Sequence, residues 1–164
     1  MPMTRLRSLG LGLGCLIVLE PAPARAGGNV SCSISTTALV FGQYVPSRNG
    51  ASDFTATIQV NCMSPGEAPV PVLGSISLIG RGANGRRELT DRAHRLIYQL
   101  FLDPARTIPW GDGSGESRTQ PISGVAGGAT PFRATVTVYG RILARQAGAS
   151  VGSYSDQITA VLSY

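Results

Sequence analysis

Residues 152–164 read GSYSDQITAVLSY. Tyr154, Ile158, Ala160, Leu162 and Tyr164 share one phase of a two-residue period, and Ser155, Gln157, Thr159 and Ser163 fill the other, with Val161 as the exception. Alternation of this kind, rich in β-branched residues, predicts a half-buried strand. The sequence as read stops on an aromatic residue. A strand at the end of a β-sandwich leaves an edge of unpaired N–H and C=O groups, which is a liability unless something covers it. Ile158, Ala160, Leu162 and Tyr164 are therefore the candidate docking edge, and the expected cover is a strand from another chain.

Working outward, the rest of the chain has the same character. Phe54, Ala56, Ile58, Val60 and Cys62 alternate cleanly and predict a strand with the cysteine facing inward. Shorter strand-like text lies at 30–34, 38–41 and 72–79. Residues 96–102 (LIYQLFL) form the most apolar strand of the mature chain. Residues 132–142 (FRATVTVYGRI) put Ala134, Val136, Val138 and Gly140 on one face, with Arg133, Thr135, Thr137, Tyr139 and Arg141 on the other. Between them stand a Pro-rich loop at 64–71, a Gly/Asn turn at 80–87 and a charged stretch at 88–95 that reads as surface. A Gly- and Ser-rich segment at 114–130 shows no long apolar pattern. Nothing keeps a helical period beyond a turn or two. Many short strands divided by Gly and Pro turns predict an all-β sandwich.

The 164 residues suit one domain. The beginning reads as a leader: Arg5 and Arg7 make a basic start, and residues 9–19 (LGLGLGCLIVL) are apolar but far short of the roughly 20 residues of a membrane span. Ala24 and Ala26 offer the small residues of a cleavage site. We expect a secretory signal peptide over 1–26 and a mature domain over 27–164. A lipoprotein anchor at Cys15 fits poorly, because Gly12 stands where the attachment motif has leucine. Losing Arg5, Arg7, Arg25 and Glu20 from the fourteen basic and nine acidic residues leaves eleven and eight, a balance of +3. No basic cluster exceeds Arg86-Arg87, so nucleic acid is not an expected partner. Cys32 and Cys62 remain as an even pair in an exported chain, which reads as a disulfide.

Other chemistries lack their parts. His94 is the single histidine, it sits among charged residues, and no G-x-S-x-G occurs, so no catalytic triad is expected. Zinc would need more than one histidine and two cysteines without C-x-x-C spacing. Asp112 and Glu116 fall short of a calcium cage, and Asp112 reads as turn chemistry, as do Asp103 and Asp156. Trp110 reads as a core anchor before a sugar platform, and Arg141 as the partner of a carboxylate. No cofactor and no small-molecule substrate are expected.

Taken in order, an early cysteine followed by Phe41-Gly42-Gln43-Tyr44, Val60-Asn61-Cys62, Leu96-Ile97-Tyr98-Gln99-Leu100-Phe101 leading to Asp103-Pro104-Ala105-Arg106, Trp110-Gly111-Asp112-Gly113, Val138-Tyr139-Gly140-Arg141-Ile142 with Gln146, and Gly152-Ser153-Tyr154-Ser155-Asp156 resemble the spore coat U domain family, which includes archaic chaperone–usher pilus subunits and secreted relatives. The resemblance implies an incomplete immunoglobulin-like sandwich that lacks its final strand and has an open groove beside the C-terminal one. It implies a periplasmic chaperone that lends a strand, an outer-membrane usher, and neighbouring subunits that replace the loan, ending at the cell surface with a role in attachment or biofilm. Affinity in such β-augmentation comes from backbone hydrogen bonds and fit from alternate side chains. One departure stands out. Only residues 27–31 separate the expected cleavage site from Cys32, whereas a donated strand needs on the order of ten residues. This points to an acceptor that donates poorly, a tip or minor subunit. The alternative is a free-standing secreted or coat protein that closes its own sandwich.

Overall fold

The structure is a computed structural model and describes residues 30–41, 44–46, 49–80, 86–91, 94–128, 130–150 and 153–164. The expected leader and its cleavage site lie outside these residues. Eight strands are formed: β1 (Ser31–Thr36), β2 (Ser52–Met63), β3 (Val70–Ile79), β4 (Arg86–Asp91), β5 (His94–Phe101), β6 (Gln120–Ala126), β7 (Phe132–Ile142) and β8 (Thr159–Ser163). They build a five-stranded sheet in the order β1-β2-β7-β5-β4 and a three-stranded sheet in the order β6-β3-β8, with every pair antiparallel. The fold is all-β, as expected, and no helix of the described residues is long and apolar enough to cross a membrane.

The alternating residues are what hold the sheets face to face. Ala56, Ile58, Val60 and Cys62 of β2 are buried together with Leu96, Tyr98 and Leu100 of β5 and with Val138 and Ile142 of β7. Val72, Ile76 and Leu78 of β3 and Ile122 and Ala126 of β6 meet them from the other sheet. Trp110 is completely buried in the connection after β5, and its Nε1 donates to the Ile76 carbonyl at 3.0 Å, so it is an anchor of the core. The nearby turns use their aspartates as expected. Asp103 accepts from the Thr107 and Ile108 amides, and Asp112 accepts from the amide and hydroxyl of Ser114.

Three elements differ from the sequence reading. The end of the expected turn, Arg86 and Arg87, and most of the charged stretch at 88–95 are strand: β4 pairs with the start of β5, and Arg87 is 4% exposed. Its guanidinium donates to the carbonyls of Leu78 at 2.8 Å and Trp110 at 3.4 Å, which gives a charged residue a lodging between the sheets. Burial pulls its pKa below the usual arginine value. The Gly- and Ser-rich segment contains β6, whose Gly124 lies under the Phe132 ring, which a Cβ there would displace. Residues 38–41 lie outside the strands, although Phe41 is buried against Phe54 and Tyr98.

Arg141 finds the carboxylate expected for it. Its Nε and Nη2 lie 2.7 and 2.8 Å from the two oxygens of Asp53 across the β2–β7 ladder, and Arg106 approaches the same group at 3.5 Å. Arg141's hydrogen bonds hold the Asp53 pKa below the usual carboxylate value, against the smaller opposing effect of burial. The contribution to stability is thus present above the unfolded carboxylate pKa and lost as pH falls through the folded one. Asp53→Asn is expected to cost about 1 kcal/mol near pH 7, given the partial exposure of the pair. Urea melts of the two proteins should converge as the pH drops through the carboxylate range.

Candidate functional site: an open strand edge

The last strand is shorter than residues 152–164 suggest. Ser155 exchanges backbone hydrogen bonds with Thr90 of β4, at 2.9 and 3.1 Å, and so belongs to the edge of the five-stranded sheet. The chain then crosses to the other sheet over residues 156–158. Asp156 manages the crossing: one carboxylate oxygen accepts the Tyr98 hydroxyl at 2.7 Å and the other accepts the Gln157 amide at 2.8 Å. The expectation of a simple turn cap at Asp156 is therefore only part of its role. Burial, and then the Asp156 hydrogen bond, drive the Tyr98 hydroxyl pKa well above the usual tyrosine value. Tyr154, which the alternation groups with Ile158, instead folds onto its own loop, its hydroxyl bonding the amide and carbonyl of Ser150 at 2.9 Å.

Only β3 pairs with β8 among the described residues. The direction in which β8 points its backbone follows from what β3 does with its own. The Leu78 amide donates to Gly111 and its carbonyl accepts from Arg87, while the Ile76 carbonyl accepts from Trp110. These groups face away from β8. The pairs Ile76–Leu162 and Leu78–Ala160 are thus the non-hydrogen-bonded pairs of an antiparallel ladder, and Ser77–Val161 exchanges the bonds. It follows that the N–H and C=O groups of Ala160 and Leu162 point to the free side. Their side chains meanwhile turn inward and rest half-buried against the core.

The same parity operates on β1, the edge strand of the larger sheet. The Thr37 amide donates to the Thr57 carbonyl at 3.0 Å. Alternation back along the ladder makes Thr36–Ile58, Ile34–Val60 and Cys32–Cys62 the non-hydrogen-bonded pairs. Cys32 and Cys62 are disulfide-bonded with their Cα atoms 4.0 Å apart. They are neighbours within one sheet, directly opposite in the ladder, an arrangement that the count of cysteines does not specify. The bond clamps β1 to β2 and leaves the outward amides of Cys32, Ile34 and Thr36 on the open edge.

Between the sheets lies a cavity of about 330 Å³. Its apolar floor includes Ile58, Tyr98, Leu100 and Val138, and its rims are Thr36 at the end of β1 with residues 37–39 on one side and Ile158 and Ala160 on the other. Gly140 leaves room for the first rim. A Cβ there would come within 2.7 Å of Leu39 Cδ2 and 3.1 Å of the Phe41 ring, so a larger residue would make those side chains shift. The four residues of the expected docking edge are found in one line. Ile158 is half-buried at the rim, Ala160 and Leu162 form the strand, and Tyr164 is 59% exposed beyond it, its hydroxyl accepting the Cys32 amide at 3.2 Å. The sequence reading missed the opposite rim. Its signal was the second strand-like run, 38–41, which reads in the sequence as a strand of its own.

The spore coat protein U domain matches residues 24–161, which is most of the chain. The protein belongs to the spore coat protein U domain family. No curated protein matches it. The family is one of exported structural domains and is compatible with a subunit of the chaperone–usher type. Among the described residues no three of His, Cys, Asp and Glu gather to hold a metal ion.

Proposed function

We propose that this spore coat protein U domain protein is an exported, non-enzymatic pilus subunit that is completed by a strand from another chain. The observation that carries the reading is the free edge of β8 beside an open cavity with an apolar floor. An incoming strand would bond to the outward amides and carbonyls of Ala160 and Leu162 and set alternate apolar side chains into the cavity beside Ile158. A periplasmic chaperone is the first donor, an outer-membrane usher the place of exchange, and a neighbouring subunit the final donor. With cleavage after Ala26, residues 27–31 are fewer than the roughly ten that a donated strand needs, which supports a tip or minor subunit that receives a strand and passes none on. Surface attachment or biofilm formation is the role that follows from such a position.

Co-expression with the candidate chaperone, followed by pull-down, tests the reading. The expected result is a soluble complex, with the mature protein alone aggregating or being degraded, because an unpaired edge next to exposed apolar surface invites association. A stable, soluble monomer that takes up no donor strand would overturn it. One feature favours a second reading, a free-standing secreted or coat protein: the Tyr164–Cys32 hydrogen bond already ties β8 to β1. Gel filtration of the purified mature chain separates the two.

A further inference from the structure

Resting on the strand-docking reading, we infer that the Tyr164 hydroxyl is a built-in competitor of the incoming strand for the backbone of β1. The amide it takes is not an arbitrary one. Cys32 occupies a non-hydrogen-bonded position opposite Cys62, so its N–H points out of the β1–β2 ladder into the space that a complementing strand must fill. A strand lying between β8 and β1 would offer a carbonyl at this place. In the uncomplemented chain the Tyr164 oxygen stands there instead, 3.2 Å from the nitrogen.

The contact is suited to temporary use. Tyr164 lies just past β8 in the phase of Ala160 and Leu162, and the residue is 59% exposed, so little packing holds it. The bond is a single, solvent-accessible one and contributes modestly to stability. Cys32 is the firm partner, held by its disulfide, and Tyr164 is the movable one. The hydroxyl thus satisfies an edge amide and bridges the two sheets while no donor is present. It must leave before pairing along β1 can reach Cys32. Tyr164 delays completion of the sandwich and does not itself recognise the donor.

Tyr164→Phe removes the acceptor and keeps the ring, and Tyr164→Ala removes both. The probe is a synthetic peptide of about ten residues with alternating valine and threonine. In the absence of peptide, hydrogen exchange at the Cys32 amide should speed up roughly two- to ten-fold in Tyr164→Phe. The peptide should associate faster with both variants than with the unaltered chain by a similar factor. In the peptide-bound state the Cys32 amide should be equally protected in all three proteins, because the strand has replaced the hydroxyl. Equal association rates, or unchanged exchange at Cys32 in Tyr164→Phe, would overturn the competitor role while leaving the docking edge standing. Failure of the unaltered chain and both variants to take up any peptide would overturn the docking edge and the competitor role together. Thermal melts that match among the three exclude a folding defect as the source of a difference.

Discussion

Ile158→Asp is expected to weaken strand uptake by about 10-fold or more while leaving the chain folded. Ile158 sits at the rim of the cavity, half-buried, one residue before β8 begins. In the uncomplemented protein a carboxylate there can remain in water. Once a donor strand closes the cavity, the same carboxylate must give up its water. Arg87 is close by, its Nη1 and the Ile158 side chain both lying against Gly80, but its Nη2 is committed to the Leu78 and Trp110 carbonyls, so a pair formed there offsets only part of the cost. Burying a carboxylate costs several kcal/mol before such a pair is counted, so binding of a chaperone or donor peptide should weaken by about 10-fold or more. Pull-down and titration measure the loss, and circular dichroism of the isolated chain checks the fold. Retained binding would show that the donor does not pass Ile158. Ile158→Val, which keeps the apolar character, should bind within a few-fold of the unaltered protein.

Replacing both cysteines, Cys32→Ala with Cys62→Ala, should produce the largest change in stability. The bond spans 30 residues and holds the edge strand β1, whose outward backbone nothing else in the described sheet secures except Tyr164. On the chain-entropy account a loop of this size contributes about 3–4 kcal/mol. For a domain of this length that corresponds to a fall in Tm of roughly 10 °C or more. The loss extends to function, because β1 and the residues that follow it form one rim of the cavity. Reduction of the unaltered protein should reproduce the change, and dithiothreitol should have no effect on the double variant. A double variant with the same melting temperature as the parent would mean that β1 is held by the β2 ladder alone.

The strands legible in the sequence share a property. β2, β5 and β7 each bury one face and expose the other, and their two-residue period survives in the order of the side chains. β4 and β6 were hidden for opposite reasons. β4 carries Arg86, Arg87, Glu88 and Asp91, and its inward arginine looks like a surface residue until the Leu78 and Trp110 carbonyls are brought to it. β6 contains proline and glycine and has few apolar residues to count, since part of its inner face is covered by the Phe132 ring. Both depend on partners far along the chain, which no local pattern records.

Alternation and a count of residue types establish the all-β class, the pairing of two cysteines and the common side of Ile158, Ala160 and Leu162, because these need only the chain. The place of Cys32 beside Cys62 in one sheet, the crossing between sheets at Asp156 and the outward amides of β1 toward the free edge of β8 come from contacts between distant residues. A strand edge is open or closed according to what lies next to it in space. The hydrogen bonds that would close it come from residues with no fixed separation in sequence, so the gap between β1 and β8 becomes visible only when the sheets are assembled.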